Sequence, residues 1–294
     1  MGARMVSKLL KEGHVVVAWN RSPHESKTVG TIKELVEGLS SPRIIWLMLP
    51  AGDATEEILK EISKFVEAGD IIIDGGNANF KDTQRRFEKF ESEGIKFLGI
   101  GVSGGIIAAT QGYPLMVGGD KSAYETIIPI LDSLGKPHGG HEYFGLGGTG
   151  HFVKMIHNGI EYGIMQSLAE GFEVLEKAPY DFDLLKVAKL WQKGTLVSGF
   201  MLDRAVDALG SDPKLSNIVG VVGSATGESI WTIEQAKEEG VRVEIIERSL
   251  EYRNRSQTDK NIQKSFTARM LAALRNAFGG HPVRLAQGKE VKKK

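Results

Sequence analysis

The stretch Gly147-Gly148-Thr149-Gly150-His151-Phe152-Val153-Lys154-Met155-Ile156-His157-Asn158-Gly159-Ile160-Glu161-Tyr162 divides the chain in two. Glycines come first, then the spacing of a helix. Lys154, His157, Asn158, Glu161 and Tyr162 fall three and four residues apart, on one helix face. Ile156, Gly159, Ile160 and Gly163 fall on the other side. A lysine and a carboxylate two turns apart, with polar groups between them, can form an acid–base pair. Each interior glycine costs a helix about 1 kcal/mol against alanine, so close packing is expected there. Taken alone, the pattern also suits a solvated polar face.

Before this stretch, short apolar runs alternate with helical segments. The runs are Val15–Trp19, Arg43–Leu49, Ile71–Asp74, Lys96–Gly101 and Leu115–Gly118. Helical spacing covers Met5–Glu12, Thr31–Leu39, Ala54–Phe65 and Asp82–Glu93. Such alternation predicts a mostly parallel, doubly wound sheet. After it, strand signals nearly vanish. Helices are predicted from Thr149 to Lys177, then over Phe182–Lys193, Leu196–Leu209, Thr232–Glu239, Glu244–Asn254 and Ile262–Phe278. The expected architecture is an α/β, Rossmann-like N-terminal domain over residues 1–148, followed by an all-α domain over residues 149–294.

Composition narrows the function classes. A length of 294 residues suggests one large or two medium domains. The formal net charge is zero, so no global field favours nucleic acid or a membrane surface. Cysteine is absent, which excludes disulfides, cysteine nucleophiles and thiolate metal sites and fits a cytoplasmic protein. No apolar run reaches membrane-spanning length, and the N-terminus lacks a signal-peptide pattern. Lys292-Lys293-Lys294 reads as a solvated basic tail. No His-Glu-x-x-His pair and no acidic cluster has metal spacing, so no metal is expected. A G-x-S-x-G elbow is also absent, against serine hydrolase chemistry.

A doubly wound nucleotide domain opens with a strand, a glycine-rich turn and a helix. Here Met1-Gly2-Ala3-Arg4-Met5 reads as the tail of that turn, with Gly2 as its last glycine. The first strand and first two glycines are missing from the pattern. The expectation is a start about ten to fifteen residues upstream, one strand and its turn. The alternative is a shortened chain that binds cofactor poorly.

Three loops at apolar-run ends carry candidate ligand groups. Asn20-Arg21-Ser22 has no acid for a ribose 2′-hydroxyl but has an arginine suited to a 2′-phosphate, which favours NADP over NAD. Asp74-Gly75-Gly76-Asn77 follows a buried run, and Asn77 can donate and accept at once. Asp82 is expected to cap the next helix, and Arg85 and Arg86 to be solvated. In Gly101-Val102-Ser103-Gly104-Gly105, Ser103 and the following N–H groups could hold a carboxylate. Arg275 and His281 flank Gly279-Gly280 and suit a phosphate, although the glycines are also a plain helix cap.

Together, D-G-G-N-x-x-x-x-D-T-x-R-R at Asp74–Arg86, G-V-S-G-G at Gly101–Gly105 and G-T-G-H-F-V-K-M-x-H-N-G-I-E-Y at Gly148–Tyr162 resemble the decarboxylating 6-phosphogluconate dehydrogenase family, in its short bacterial and archaeal form. The resemblance covers essentially the whole chain. Other β-hydroxyacid dehydrogenases keep the lysine but not the His-Asn…Glu-Tyr set.

The resemblance implies conversion of 6-phosphogluconate to ribulose 5-phosphate and CO2 with reduction of NADP or NAD. It makes Lys154 the general base toward the 3-hydroxyl and Glu161 the acid that protonates C1 of the enediol. Substrate contacts fall to Asn77, Ser103, Gly104, Gly105, His157 and Asn158, and the phosphate to Tyr162. Arg275 and His281 would reach the phosphate in the neighbouring subunit, which makes a homodimer, or a tetramer, part of the site. Cofactor contacts fall to Gly2, Asn20, Arg21, Ser22, Leu49, Pro50, Ala51 and Asn77. The second domain would bind substrate and dimerise.

The chemistry is sound on general grounds. A lysine with its ordinary pKa of about 10.4 is a poor base until burial or a nearby cation lowers it. A glutamate must be protonated to act as an acid. Oxidation to a β-keto acid then makes decarboxylation easy without a metal.

One departure stands out. The family has an arginine where Ser198 stands, and Arg204, Arg253 or Arg255 could substitute for it. A lost charge-assisted contact is worth roughly 1.5–3 kcal/mol. Two rival readings follow: a β-hydroxyacid dehydrogenase acting on another hydroxy acid, and a cofactor-less, non-catalytic helical interaction protein.

Overall fold

The computed structural model describes residues 1–223, 227–285 and 290–291. The basic tail at Lys292-Lys293-Lys294 lies outside them. The chain forms two compact units, Met1–Ile156 and His157–Lys294.

The first unit is built on a five-stranded sheet. Its strands are β1 (Ile44–Leu47), β2 (Ile71–Asp74), β3 (Lys96–Val102), β4 (Pro114–Gly119) and β5 (Gly140–Tyr143), in that spatial order. β1, β2 and β3 run parallel, β4 pairs antiparallel with β3, and β5 runs parallel to β4. The helices are α1 (Gly2–Lys11), α2 (Ile32–Glu37), α3 (Asp53–Ile62), α4 (Phe80–Ser92), the short α5 (Ala108–Gln111) and α6 (Lys121–Gly135).

The side-chain alternation of β2 explains the two-faced core. Ile71 and Ile73 join Leu98, Ile100, Leu115 and Val117 with Met5 of α1 and Ile127 and Leu131 of α6. Ile72 points the other way, into Ile45, Leu47 and Phe97 with residues of α2, α3 and α4. All four β2 residues are buried, as a strand covered on both faces requires. Each isoleucine so buried contributes about 1.5–3 kcal/mol.

Two expectations change here. Val15–Trp19 is not a strand: it forms no ladder, and Val15 is 95% exposed. An apolar run becomes a strand only against a partner. This one instead turns back on itself, with the Ala18 N–H donating to Thr28 Oγ1 at 2.8 Å and the Thr28 N–H to the Ala18 carbonyl at 2.8 Å. Conversely, Lys121–Gly135 is a helix that the periodicity did not reveal, capped by Asp120 and containing Pro129.

The long α7 (Thr149–Glu176) passes from the first unit into the second. The second unit continues with α8 (Leu184–Trp191), α9 (Phe200–Ser211), α10 (Glu228–Glu238), α11 (Glu244–Arg255), α12 (Lys260–Lys264) and α13 (Phe266–Gly279). Phe172, Leu202, Leu209, Phe266, Met270 and Leu274 centre its core. The unit also carries a small antiparallel sheet of β6 (Ile218–Val219), β7 (Val283–Leu285) and β8 (Glu290–Val291), so it is helical with a short ribbon rather than purely α.

Candidate active site

In the first unit, glycines place the lysine. β3 reads Lys96-Phe97-Leu98-Gly99-Ile100-Gly101-Val102, and its two glycines fall on one face. A Cβ on Gly101 would stand 2.3 Å from Lys154 Cβ. One on Gly99 would stand 2.4 Å from Thr83 Cγ2 and 3.2 Å from His151 Nδ1. On the next strand, a Cβ on Gly118 would stand 2.3 Å from the Gly150 nitrogen. The first turns of α7 therefore lie almost directly on sheet backbone. Lys154 is only 4% exposed there, and its Nζ donates to Ser103 Oγ at 3.3 Å. His151, one turn earlier, is buried with Nδ1 2.7 Å from Thr83 Oγ1, and burial holds its pKa below the usual imidazole value.

The loops at the ends of β2 and β3 are locked together. Asn77, at φ 52°, does donate and accept, but toward backbone: Nδ2 donates to the Val102 carbonyl at 3.1 Å, and Oδ1 accepts from the Val102 N–H at 2.8 Å. Its side chain thus clamps the residue just before Ser103. Asp74 is fully buried; one oxygen accepts from the Gly76 N–H at 3.0 Å, the other from Arg86 Nη1 at 2.6 Å. Arg86 is not solvated: it is 2% exposed and also bonds Glu56 through Nε and Nη2. A guanidinium can be buried because carboxylates from β2 and α3 satisfy it. Arg85 is exposed as expected, paired with Glu56 and Asp82. Asp82 is not the cap; Asn79 is, through its side-chain bond to the Lys81 N–H at 2.9 Å. Gly104 (φ 90°) and Gly105 (φ 58°) turn the chain after Ser103 in a conformation that other residues rarely adopt.

In the second unit, α7 carries His157, Asn158, Glu161 and Tyr162. His157 Nδ1 lies 2.8 Å from Asn158 Oδ1 and 4.0 Å from Glu161 Oε2. The interior glycines meet neighbouring helices: a Cβ on Gly159 would stand 2.7 Å from Thr232 Cγ2 of α10, and one on Gly163 3.2 Å from Ile245 Cγ2 of α11.

Tyr162 sits under a cation. The Arg253 guanidinium lies 4.1 Å from its ring centroid, and Arg253 is 5% exposed, its Nε without a hydrogen-bond partner among the described residues. Tyr162, Arg253 and Arg275 line one small cavity with Gln166 and Ser249. Arg275 donates to the Val222 carbonyl; burial and the neighbouring Arg253 hold its pKa down at about 10. Burial likewise lowers Arg253. His281 is pushed down to about 4 by burial and by both arginines.

Arg275 therefore faces Tyr162 and Arg253 of its own chain. Packing within the second unit brings the three together around one cavity. Among the candidates to replace an arginine at Ser198, the structure brings Arg253 to Tyr162. Arg204 pairs with Asp207 and stacks on Phe200, Arg255 is exposed, and Ser198 Oγ bonds the Thr195 carbonyl within its own loop. Sequence reasoning offered Arg253 only as one of three. Its place in the last turn of α11, which packs on α7 beside Tyr162, is what singles it out.

On the nucleotide side, Gly2 opens α1. Asn20 Nδ2 donates to the Ser22 carbonyl at 2.9 Å, and Arg21 pairs with Glu57 of α3 at 3.2 Å. Leu49, Pro50 and Ala51 link β1 to α3, anchored by the Thr55 hydroxyl on the Pro50 carbonyl at 2.9 Å. Gly52 follows at φ 91°, with nothing within 4 Å of where a Cβ would stand.

Both family models that match the chain describe 6-phosphogluconate dehydrogenase. Residues 1–148 match the model of the NAD binding domain of 6-phosphogluconate dehydrogenase, and residues 150–270 that of the 6-phosphogluconate dehydrogenase C-terminal domain. The chain is 37% identical over 295 residues to the NAD(+)-dependent, decarboxylating 6-phosphogluconate dehydrogenase of Haloferax volcanii, covering 96% of this chain and 95% of that one. It is 38% identical to YqeC of Bacillus subtilis, covering 96% and 95%. Among solved structures, Plasmodium falciparum 6-phosphogluconate dehydrogenase, described with NADP+ and with 6-phosphogluconate, superposes with a TM-score of 0.77 at 30% identity. That match covers 87% of this chain and 60% of the plasmodial one.

Proposed function

The chain belongs to the 6-phosphogluconate dehydrogenase family, and on that premise we propose that it oxidatively decarboxylates 6-phosphogluconate to ribulose 5-phosphate and CO2. The observation that carries the substrate is the pair Arg253 and Arg275. Two desolvated cations share one cavity beside Tyr162; burial outweighs the attraction of the nearby Glu161 carboxylate, so a further anion would stabilise them. A phosphate monoester supplies that anion and suits guanidinium geometry. His281, neutral at physiological pH in the free protein, adds a hydrogen-bonding group.

The chemistry follows from the lysine. Lys154, buried and directed by Ser103, takes the proton of the substrate's 3-hydroxyl. As the ammonium it polarises the 3-keto oxygen while the carboxylate leaves as CO2, so charge forming on that oxygen meets a fixed cation. Glu161 delivers a proton to C1 of the enediol. Ser103, Gly104, Gly105, His157 and Asn158 hold the carboxylate and hydroxyls, and Asn77 shapes that pocket through Val102.

The oxidant would be a nicotinamide dinucleotide, and the residues fit one. β1 and β2 run parallel, with open space over Gly52 in the loop that follows β1, and the carboxyl ends of parallel strands are where dinucleotide folds bind their ligand, with the start of α1 and the cationic Arg21 as further contacts. When bound, that group supplies the acceptor for the hydride at C3. Arg21 favours NADP over NAD by pairing with a 2′-phosphate. Gly2, Asn20, Ser22, Leu49, Pro50 and Ala51 complete the contacts. Dinucleotide binding is assigned to residues 1–148 and substrate binding to residues 149–294. Homodimerisation through the second domain, a cytoplasmic location and a role in pentose phosphate or gluconate metabolism complete the proposal; no helix among the described residues is long and apolar enough to cross a membrane.

The test is absorbance of reduced nicotinamide on mixing the protein with 6-phosphogluconate and NADP or NAD, with gluconate and 3-hydroxyisobutyrate as comparison substrates. Turnover of 6-phosphogluconate alone is the expected result. Turnover of an unphosphorylated acid instead would give the site to another hydroxy acid.

A further inference from the structure

We infer that Glu57 sets the balance between the 2′-phosphorylated and 2′-hydroxyl dinucleotides by holding Arg21. This rests on the dinucleotide reading above and extends it to specificity.

The turn that presents Arg21 is closed at its base by the paired Ala18–Thr28 contacts, and Asn20 Nδ2 fixes its tip on the Ser22 carbonyl. Arg21 Nη2 reaches Glu57 Oε2 at 3.2 Å, and both side chains are about two-thirds exposed, at 67% and 68%. The adjacent carboxylate on α3 does not compete. Glu56 is taken by Arg85 at 2.8 Å and by Arg86 at 2.9 Å.

In dinucleotide folds, an acid at this point accepts from the ribose 2′-hydroxyl, and an arginine accommodates the 2′-phosphate. The turn Asn20-Arg21-Ser22 has no acid. Glu57 brings one from a different element to the same guanidinium. Both recognition chemistries therefore meet at one ion pair. A 2′-phosphate must draw Arg21 off Glu57. A 2′-hydroxyl can donate to Glu57 while Arg21 neutralises the carboxylate. Because an exposed ion pair is weak, Arg21 is releasable, and Glu57 tempers the preference for the phosphorylated form rather than reversing it.

The experiment is titration calorimetry of the whole chain with adenosine 2′,5′-bisphosphate and with 5′-AMP. The proteins are the wild type, Glu57→Gln, Arg21→Ala and the double variant. Glu57→Gln is expected to raise the affinity ratio of bisphosphate to AMP by about three- to fivefold, with most of the change on the bisphosphate. In the Arg21→Ala background that gain disappears. An unchanged or lowered ratio overturns the inference, as does a gain that persists without Arg21. Failure of the wild type to bind either nucleotide overturns the dinucleotide reading itself, and the inference with it. Circular dichroism of each variant confirms the fold, which two exposed substitutions leave intact.

Discussion

The cradle around Lys154 and the cavity around Arg253 hold their charges by opposite means. Lys154 is placed by what is missing: Gly99, Gly101 and Gly118 strip the sheet face so that α7 lies on backbone. Arg253 and Arg275 are placed by what is present, packed side chains that bury two like charges beside Tyr162. The first site is stable and sterically exact in its tolerance, so added atoms break it. In the second, the cost of burying two cations outweighs the attraction of Glu161, so removing charge should relax the fold while damaging binding. Position is bought in one region with packing and in the other with strain against solvation.

Four experiments test that contrast, from the largest expected effect down. Lys154→Ala should lower kcat by at least about a hundredfold while fold and self-association survive. Turnover within about tenfold of wild type would remove Lys154 as the base. Arg253→Gln should raise KM for 6-phosphogluconate by roughly ten- to a hundredfold, the value of a charge-assisted contact, with a smaller change in kcat. Its Tm should hold or rise, because one of two buried like charges is gone; a clear fall in Tm would count against that burial cost. Gly101→Ala should do the reverse. Its methyl would enter Lys154 Cβ, so stability should fall by about 1–3 kcal/mol in chemical denaturation and kcat should drop more than KM changes. Equal stability would mean that α7 moves away freely.

The smallest effect is a pH dependence. His281 has a pKa of about 4 in the folded chain, against about 6.5 for a free histidine. Between those values the unfolded chain binds a proton that the folded one refuses, so stability falls as pH drops through that window. An anion in the cavity offsets the two arginines and raises the His281 pKa, so anion binding takes up a proton. Sulfate, which stays doubly charged, should bind a fewfold more tightly at the acidic end of the window than at neutrality, measured by calorimetry. His281→Gln should flatten that difference; an unchanged slope would detach His281 from the cavity.

Much of this was legible in the chain itself, and the gaps have physical causes. The run from Thr149 reads as one long helix, and it is one to Glu176, because its periodicity is sustained over many turns. Ile71–Asp74 reads as a buried strand and is one to the residue. Val15–Trp19 has equal apolar character yet pairs with nothing, since a strand is decided by its neighbour, which no local window contains. The two-residue strands β6 and β8 lie far apart in sequence and are too short to show alternation. Pro129 masked α6. At the site, the residue types around Lys154 were readable, whereas Gly99 looked like an ordinary strand residue until a helix lay across it. Arg86 read as one of two surface arginines because nothing in sequence ties it to Asp74 and Glu56. Arg253 could not be told from Arg204 and Arg255 before α11 was folded against α7.

The lock between Asn77, Val102, Asp74 and Gly76 also bears on how these strand ends should look to deuterated solvent. Strand-end loops are usually where amide hydrogens exchange fastest, because their N–H groups face water and open locally at little cost. Here the Val102 N–H is held by an asparagine side chain and the Gly76 N–H by a carboxylate that is itself buried against Arg86. Those two amides can exchange only when the whole clasp opens. This clasp would then be among the slower-breathing parts of the first unit, its timescale set by a buried guanidinium rather than by loop length.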